Sequence, residues 1–402
     1  MTSQREAVVL AFSGGLDTSW CVLDLNARGF DVHTVFVTTG GIAQEEVEAI
    51  AERARALGAV EHHLVDGSED LWNEFVVPLL WSHARFMGQY PLLCSDRYLI
   101  VRHCLDLCDR LGTRHFAHGC TGMGNDQVRF DQTVRSLGDY VIHAPIRDLQ
   151  KQTGQVRERE MADLSEAGFE PPGQSGRYSI NANLLGVTIS GSEIDEFEAP
   201  GDDTFQLTRP RAQWPEQPLR ARIGFDRGIP VSLDDEALAG PEMLRRLNEG
   251  FGAHGVGRHL YTGDVTIGLK GRIVFECPGI DVLMTAHQAL EDAVNTRLQN
   301  QFRSQVAQRW AELVYTGFFY EPHKADLEAY LKSSQSCVTG SVVVSTNGGA
   351  VVAESVKSDL LLRDPQSVYA QSCNWSPEEA EGFIKLLGNS STIAARVRKG
   401  RG

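Results

Sequence analysis

Apolar runs and polar breaks divide the chain into two unlike parts. In the first, short apolar runs alternate with stretches that repeat apolar positions at helical spacing. Residues 7–12 (AVVLAF) form an unbroken apolar run that ends at a pair of glycines, Gly14 and Gly15. That is the mark of a strand buried on both faces, as in a parallel sheet. Residues 18–29 (TSWCVLDLNARG) have apolar positions at 20, 22, 23 and 25 and stop at Gly29, which predicts a helix. DVHTVFVTT (31–39) predicts the next strand, and QEEVEAIAERARALGA (44–59) a second helix that ends at Gly58. HFAHGC (115–120) carries the alternation on. Strands alternating with helices predict a parallel sheet with helices on its faces.

The rhythm changes after about residue 165. PPGQSGRYSI, beginning at Pro171, is rich in glycine and proline and predicts a boundary. Beyond it come strand-like pieces at 264–278 (DVTIGLKGRIVFECP) and 338–355 (VTGSVVVSTNGGAVVAES). A long helical stretch lies between them at 286–317. This part is expected to be α+β. The end, SPEEAEGFIKLLG (376–388), has Ser376 with Glu379 three residues later, a capping box that starts a helix. Its apolar residues Phe383, Ile384, Leu386 and Leu387 need a partner surface.

Length and composition fit this division. A chain of 402 residues is too long for one ordinary core. With 42% hydrophobic and 23% charged residues it has a normal globular composition. The start, MTSQREAVVLAF, lacks a charged segment followed by a long apolar one, so no signal peptide is expected. No run approaches the roughly 18 apolar residues of a membrane span. The eight cysteines form no CxxC pair, and reduced thiols in a cytoplasmic protein are expected. Cys104 and Cys108, four apart in an apolar stretch, should share a helix face. The net charge of −15 argues against a nucleic-acid partner. The one basic cluster, RVRKGRG (396–402), reads as a solvated chain end.

Two loops carry the chemistry. SGGLDTS (13–19) joins the first strand to the first helix, at the carboxyl end of the strand, where ligands sit in open α/β sheets. Gly14 and Gly15 let backbone N–H groups converge, and the helix adds its positive end. Ser13, Thr18 and Ser19 add hydroxyl donors. Together these make a phosphate cradle. The loop lacks the GK[ST] of a P-loop. The second stretch, HGCTGMGNDQVRF (118–130), is a glycine-rich loop dense with polar side chains. Asn125, Asp126, Gln127 and Arg129 suit a zwitterion, with Arg129 for a carboxylate and Asp126 for an ammonium.

SGGLDTS resembles the pyrophosphate loop of the ATP pyrophosphatase superfamily. With TGMGND it closely resembles the argininosuccinate synthase family. The match continues through YSINANLLG (178–186), GVGR (255–258), CPG (277–279), TAH (285–287), AELVYTGF (311–318), VTG (338–340) and EGFIKLLG (381–388). These landmarks span nearly the whole chain in order. The resemblance implies an adenine nucleotide alpha hydrolase-like domain over 1–165, a synthetase domain over 166–365, and an oligomerisation helix and tail over 366–402. It also implies an AMP-forming ligase that uses ATP and Mg²⁺ and works as a homotetramer. The ureido oxygen of citrulline attacks the α-phosphorus of ATP and pyrophosphate leaves. The aspartate amine then attacks the activated carbon and AMP departs.

Carried over by position, the nucleotide site comprises Ala11, Ser13, Gly14, Gly15, Asp17, Thr18, Ser19, Val37 and Gly119. Aspartate falls to Thr121, Asn125 and Asp126. The acceptor falls to Tyr90, Ser95, Arg129, Ser179, Thr188, Gly263 and Phe275. Asp17, Asp126 and Arg129 are the catalytic candidates, with Asp17 near Mg²⁺ and pyrophosphate.

Several positions depart from the family. Met123 stands where the family's TGKGND has lysine, and Lys151 or Arg147 is the candidate replacement cation. Gly263 replaces an acid and Phe275 a tyrosine at the acceptor's α-amino end. SDRYL (95–99) and Asn181 replace the usual run and an aspartate, and Thr188 replaces a serine. The aspartate residues are intact while the acceptor side is altered. This favours an acceptor other than citrulline. One alternative is ordinary argininosuccinate synthase, with Asp264 supplying the missing acid. The other is a nucleotide-binding paralogue with weak or no catalysis.

Overall fold

The computed structural model describes residues 5–170, 177–369, 371 and 373–400. The expected boundary segment at 171–176 and the last two residues of the basic tail lie outside them.

The first apolar run is β1 (Ala7–Ala11). With β2 (Asp31–Thr38), β3 (Glu61–Asp66), β4 (His115–His118) and β5 (Val141–His143) it forms a parallel sheet in the order β3-β2-β1-β4-β5. β1 is central and buried on both faces, which is why its sequence does not alternate. Val8 and Leu10 pack with Val22, Leu25, Ile50 and Ala54 from helices Leu16–Ala27 and Gln44–Ala56. Val9 and Ala11 pack with Val101, Cys104 and Cys108 from helix Asp96–Leu111, so those two cysteines do share a buried face. The first two helices begin and end near the expected positions, with Gly29 and Gly58 at positive φ just past their ends. β3 has no counterpart among the expected strands. It is an edge strand whose EHH start is polar.

Two further sheets follow. β6 (Ser179–Asn183), β7 (Gly186–Ser190), β11 (Arg258–Asp264) and β12 (Lys270–Glu276) form an antiparallel sheet in the order β11-β12-β7-β6. β8 (Leu219–Asp226), β9 (Ile229–Leu233), β10 (Glu236–Ala237), β13 (Gly340–Gly348) and β14 (Ala350–Lys357) form the other, ordered β10-β9-β8-β13-β14. The strand-like piece at 264–278 is therefore not one strand. It begins at the end of β11, turns through 265–269 and continues as β12. The helical stretch at 286–317 is likewise two helices, Pro278–Val294 and Arg297–Tyr315. Thr296 breaks it, because its side chain and Gln299 form a capping box that starts a new helix.

Residues Met1–Leu360 form one compact unit and Leu361–Gly402 another. In the second, helix Pro377–Leu387 starts at the expected Ser376–Glu379 capping box. Neither it nor helix Asn389–Lys399 buries any residue, and Phe383, Ile384, Leu386 and Leu387 are all more than 60% exposed. No helix among the described residues is long and apolar enough to cross a membrane.

Candidate active site

The order of the parallel sheet reverses between β1 and β4. Loops leaving the carboxyl ends of these neighbours open a crevice where α/β sheets bind ligands. SGGLDTS leaves β1, and Gly119 follows β4. The two loops touch: a Cβ on Gly119 would lie 2.9 Å from Thr18 Cγ2 and 3.3 Å from Thr18 N. Gly14 has φ +74° and its carbonyl accepts a hydrogen bond from Arg53. A Cβ there would meet Ile50 Cγ1 at 2.8 Å, so only glycine fits. The Ser13 N–H donates to Thr18 Oγ1 at 3.3 Å, and the two hydroxyls lie 3.2 Å apart. No side chain among the described residues caps helix Leu16–Ala27. Its first N–H groups therefore point into the crevice, as an anion site requires. Ala11 ends β1, and Val37 lies near the carboxyl end of β2. Ser19 is buried with no partner for its hydroxyl among the described residues.

Two largely buried carboxyl groups near this loop feel each other's charge. Burial raises Asp17, with the Arg157 charge opposing. Glu160, from helix Val156–Glu166, is 2% exposed and has one oxygen without a partner among the described residues. Burial first, and then the Asp17 charge, push its carboxyl up to about 8. It therefore holds its proton at neutral pH. Glu160 and Arg157 were not found by sequence reasoning, since neither lies in a recognisable motif. Neither replacement cation proposed for Met123 is free. Lys151 is exposed and bonded to Asp148, and Arg147 is held by Asp131 at 2.8 Å. Met123 itself is 66% exposed.

The second loop leads into helix Asp126–Leu137. Thr121 Oγ1 accepts from the Met123 N–H at 3.4 Å. Asn125 ties three segments together: its Nδ2 donates to Tyr315 Oη at 3.1 Å, and its Oδ1 accepts from the Thr266 N–H at 3.0 Å. Asp126 is gripped twice, by Arg129 Nη1 at 2.6 Å and Arg97 Nε at 3.2 Å. Burial raises its carboxyl, but the two guanidinium groups outweigh that and hold it below the ordinary value. It is thus a fixed negative charge and a weak proton acceptor. Arg129 is 4% exposed and also donates to the Tyr315 carbonyl at 3.1 Å. Arg97 links this cluster to the antiparallel sheet. It bonds both oxygens of Asp96 and, at 2.7 Å, Asn181 on β6. Two of the residues noted only as departures, Arg97 and Asn181, are therefore partners.

Among the residues expected to hold the acceptor, Thr188 on β7 pairs with Asn181 on one side and Phe275 on the other. Tyr90 stands edge-on to Phe275 with ring centroids 5.3 Å apart. Tyr261 and Tyr315 complete an aromatic wall with Phe86. Ser179 is exposed at the start of β6, two residues from Asn181 on the same face. Ser95 is fully buried and donates to the Leu92 carbonyl at 2.8 Å, so its hydroxyl is engaged. Gly263 has a clear steric reason: a Cβ there would lie 2.5 Å from Tyr261 Oη. Asp264 does not take the place of the missing acid, because its carboxylate pairs with Lys270 and is half exposed.

A parallel sheet with an uncapped, glycine-led helix start at its switch point defines a nucleotide-binding α/β protein. Residues 7–168 match the family described as "Arginosuccinate synthase N-terminal HUP domain", and 178–394 match "Arginosuccinate synthase C-terminal domain". A relative from Xanthomonas campestris pv. campestris named argininosuccinate synthase is 54% identical over 98% of this chain and 99% of its own. One of the same name from Xylella fastidiosa is 52% identical over 98% of both chains. Another from Bacillus subtilis is 33% identical over 99% of this chain and 98% of its own. The chain belongs to the argininosuccinate synthase family, AMP-forming ligases that use ATP to make a C–N bond. The expected non-citrulline acceptor finds no support in these relatives, and the ordinary reaction fits them better.

Proposed function

We propose that this chain is an argininosuccinate synthase, joining citrulline and aspartate with ATP cleaved to AMP and pyrophosphate. The observation that carries this reading is the likeness over the whole chain to proteins of that name. It is supported by the uncapped, glycine-led helix start at the sheet's switch point and by the charge cluster of Asp126, Arg129 and Arg97. The nucleotide phosphates lie against the N–H groups of residues 14–18, with Gly119 keeping the second loop close. Asp17, the acid in the first helical turn, would hold the Mg²⁺ that accompanies the nucleotide, and the ion would supply charge neutralisation for pyrophosphate. Arg129 and Arg97 hold Asp126 ionised, and with Thr121 and Asn125 it orients the aspartate amine. No covalent protein intermediate is needed, so catalysis rests on positioning and charge stabilisation.

The altered acceptor positions have a local counterpart. Tyr261 Oη fills the space beside Gly263 and donates to the Asp264 carbonyl at 2.7 Å. Its oxygen keeps lone pairs for an ammonium, and we read Tyr261 as standing in for the missing acid and phenol. The exposed apolar residues of Leu361–Gly402 support a homotetramer, and a monomeric mass by light scattering would exclude it. The direct test is AMP and pyrophosphate release with Mg²⁺-ATP and aspartate, with and without citrulline. Citrulline-dependent turnover is expected. Tight ATP and aspartate binding without it would return the acceptor to the non-citrulline reading.

A further inference from the structure

β2 and β3 bring three metal-ligating side chains together at the amino end of the parallel sheet, the end away from the nucleotide crevice. The register pairs His33 with Glu61 and Val35 with His63. Alternation puts His33, Glu61 and His63 on one face, which continues through Val35 and Val65 under helix Asp96–Leu111. His33 Nδ1 and His63 Nε2 are 3.5 Å apart. Glu61 Oε2 lies 3.4 Å from His63 Nε2 and 3.9 Å from His33 Nδ1.

These separations decide between two accounts. A 3.5 Å contact between imidazoles is at the outer limit of a hydrogen bond. Ligand atoms at 2.0–2.1 Å from a tetrahedral zinc ion stand about 3.4 Å apart, close to the 3.4 and 3.5 Å separations, and a small rotation of the exposed Glu61 side chain closes the third, at 3.9 Å. Two other groups of potential ligands among the described residues differ. His83 Nε2 and His287 Nδ1 are at 2.7 Å, and His259 is bonded directly to Asp281, so both are hydrogen-bonded pairs. The two imidazoles of the edge triad are held in place, at 11% and 19% side-chain exposure. Glu61, at 60%, leaves the fourth position open to water.

We propose that His33, His63 and Glu61 form a binding site for one divalent transition metal ion such as Zn²⁺, clamping edge strand β3 to β2. Two imidazoles and one carboxylate suit zinc, with water as the fourth ligand.

The test uses the full chain carrying Cys337→Ser and Cys373→Ser, which removes the two exposed thiols as rival ligands. Zn²⁺ and Co²⁺ alone are the probes. This background should bind one ion per chain with the visible absorption of tetrahedral Co²⁺. The His33→Asn/His63→Asn form should lose that ion and its spectrum. Glu61→Gln, at an exposed position, should weaken Zn²⁺ binding at least ~10-fold, since loss of an outer partner alone costs that much. Equal Zn²⁺ affinity in the background and in Glu61→Gln overturns the proposal, even where the histidine variants fail to fold. Retention of the tetrahedral Co²⁺ spectrum in a folded histidine variant also overturns it.

Discussion

Arg97→Gln is the most informative single change. Its guanidinium bonds Asp96 at 2.8 and 2.9 Å, Asp126 at 3.2 Å and Asn181 at 2.7 Å. The three partners are not equally dependent on it. Asp96 is 3% exposed, and Arg97 is its side-chain hydrogen-bond partner among the described residues. Removing the cation strands that charge, which costs about 3–5 kcal/mol. Asp126 keeps Arg129 and its side chain is 37% exposed, so water offsets most of its loss. Nearly all the cost therefore belongs to the Asp96 pair. The double variant Asp96→Asn/Arg97→Gln should then be more stable than the sum of the single losses by about 2 kcal/mol. Guanidinium chloride unfolding of wild type, both singles and the double measures this. Steady-state assays should show the aspartate KM rising about tenfold and the ATP KM little changed, since Arg97 touches Asp126 and not the phosphate loop; tenfold corresponds to about 1.4 kcal/mol. Additive stabilities, or an ATP KM that moves as far as the aspartate KM, would refute the reasoning.

Gly119→Ala should wedge the second loop off Thr18, at a strain of about 1–3 kcal/mol, and raise the ATP KM with less effect on aspartate. Glu160 contributes a pH-dependent term to stability. Its folded value of about 8 exceeds the ordinary 4.5, so stability it gives at low pH is lost as pH rises through that window. Glu160→Gln should thus gain on wild type between about pH 4.5 and 8, by roughly 3–5 kcal/mol at most, and stay level above; thermal melts across pH check this. Gly263→Glu should collide with Tyr261 and lower kcat/KM for citrulline, and Tyr261→Phe in that background should recover part of it. No recovery would mean that the hydroxyl is not the obstacle.

Much of the nucleotide half was legible in the sequence. A parallel strand buried on both faces must be apolar throughout, and a glycine pair before a helix start has few uses other than a tight anion loop. β1, its helix and SGGLDTS could therefore be read locally. β3 could not, because an edge strand tolerates the polar EHH that a central strand forbids. The break at Thr296 was present in the sequence as a capping box, but the helical periodicity on both sides concealed it. The run at 264–278 reads as continuous because a short turn costs little change in composition.

The candidate site divides in the same way. Sequence alone determined the family, the glycine-led loop SGGLDTS and the residues set out along each motif, because those signals are contiguous and each follows from a local backbone need. Tertiary structure decided which of them meet. Only the fold brings Arg97 to Asp126 and Asn181, buries Glu160 within reach of the Asp17 charge, and turns the Ser95 hydroxyl away to the Leu92 carbonyl. It also explains Gly263 by the Tyr261 hydroxyl two residues earlier, and rules out Asp264 by its pairing with Lys270. Such contacts depend on distances between strands and helices remote in sequence, and residue spacing along one chain carries no measure of them.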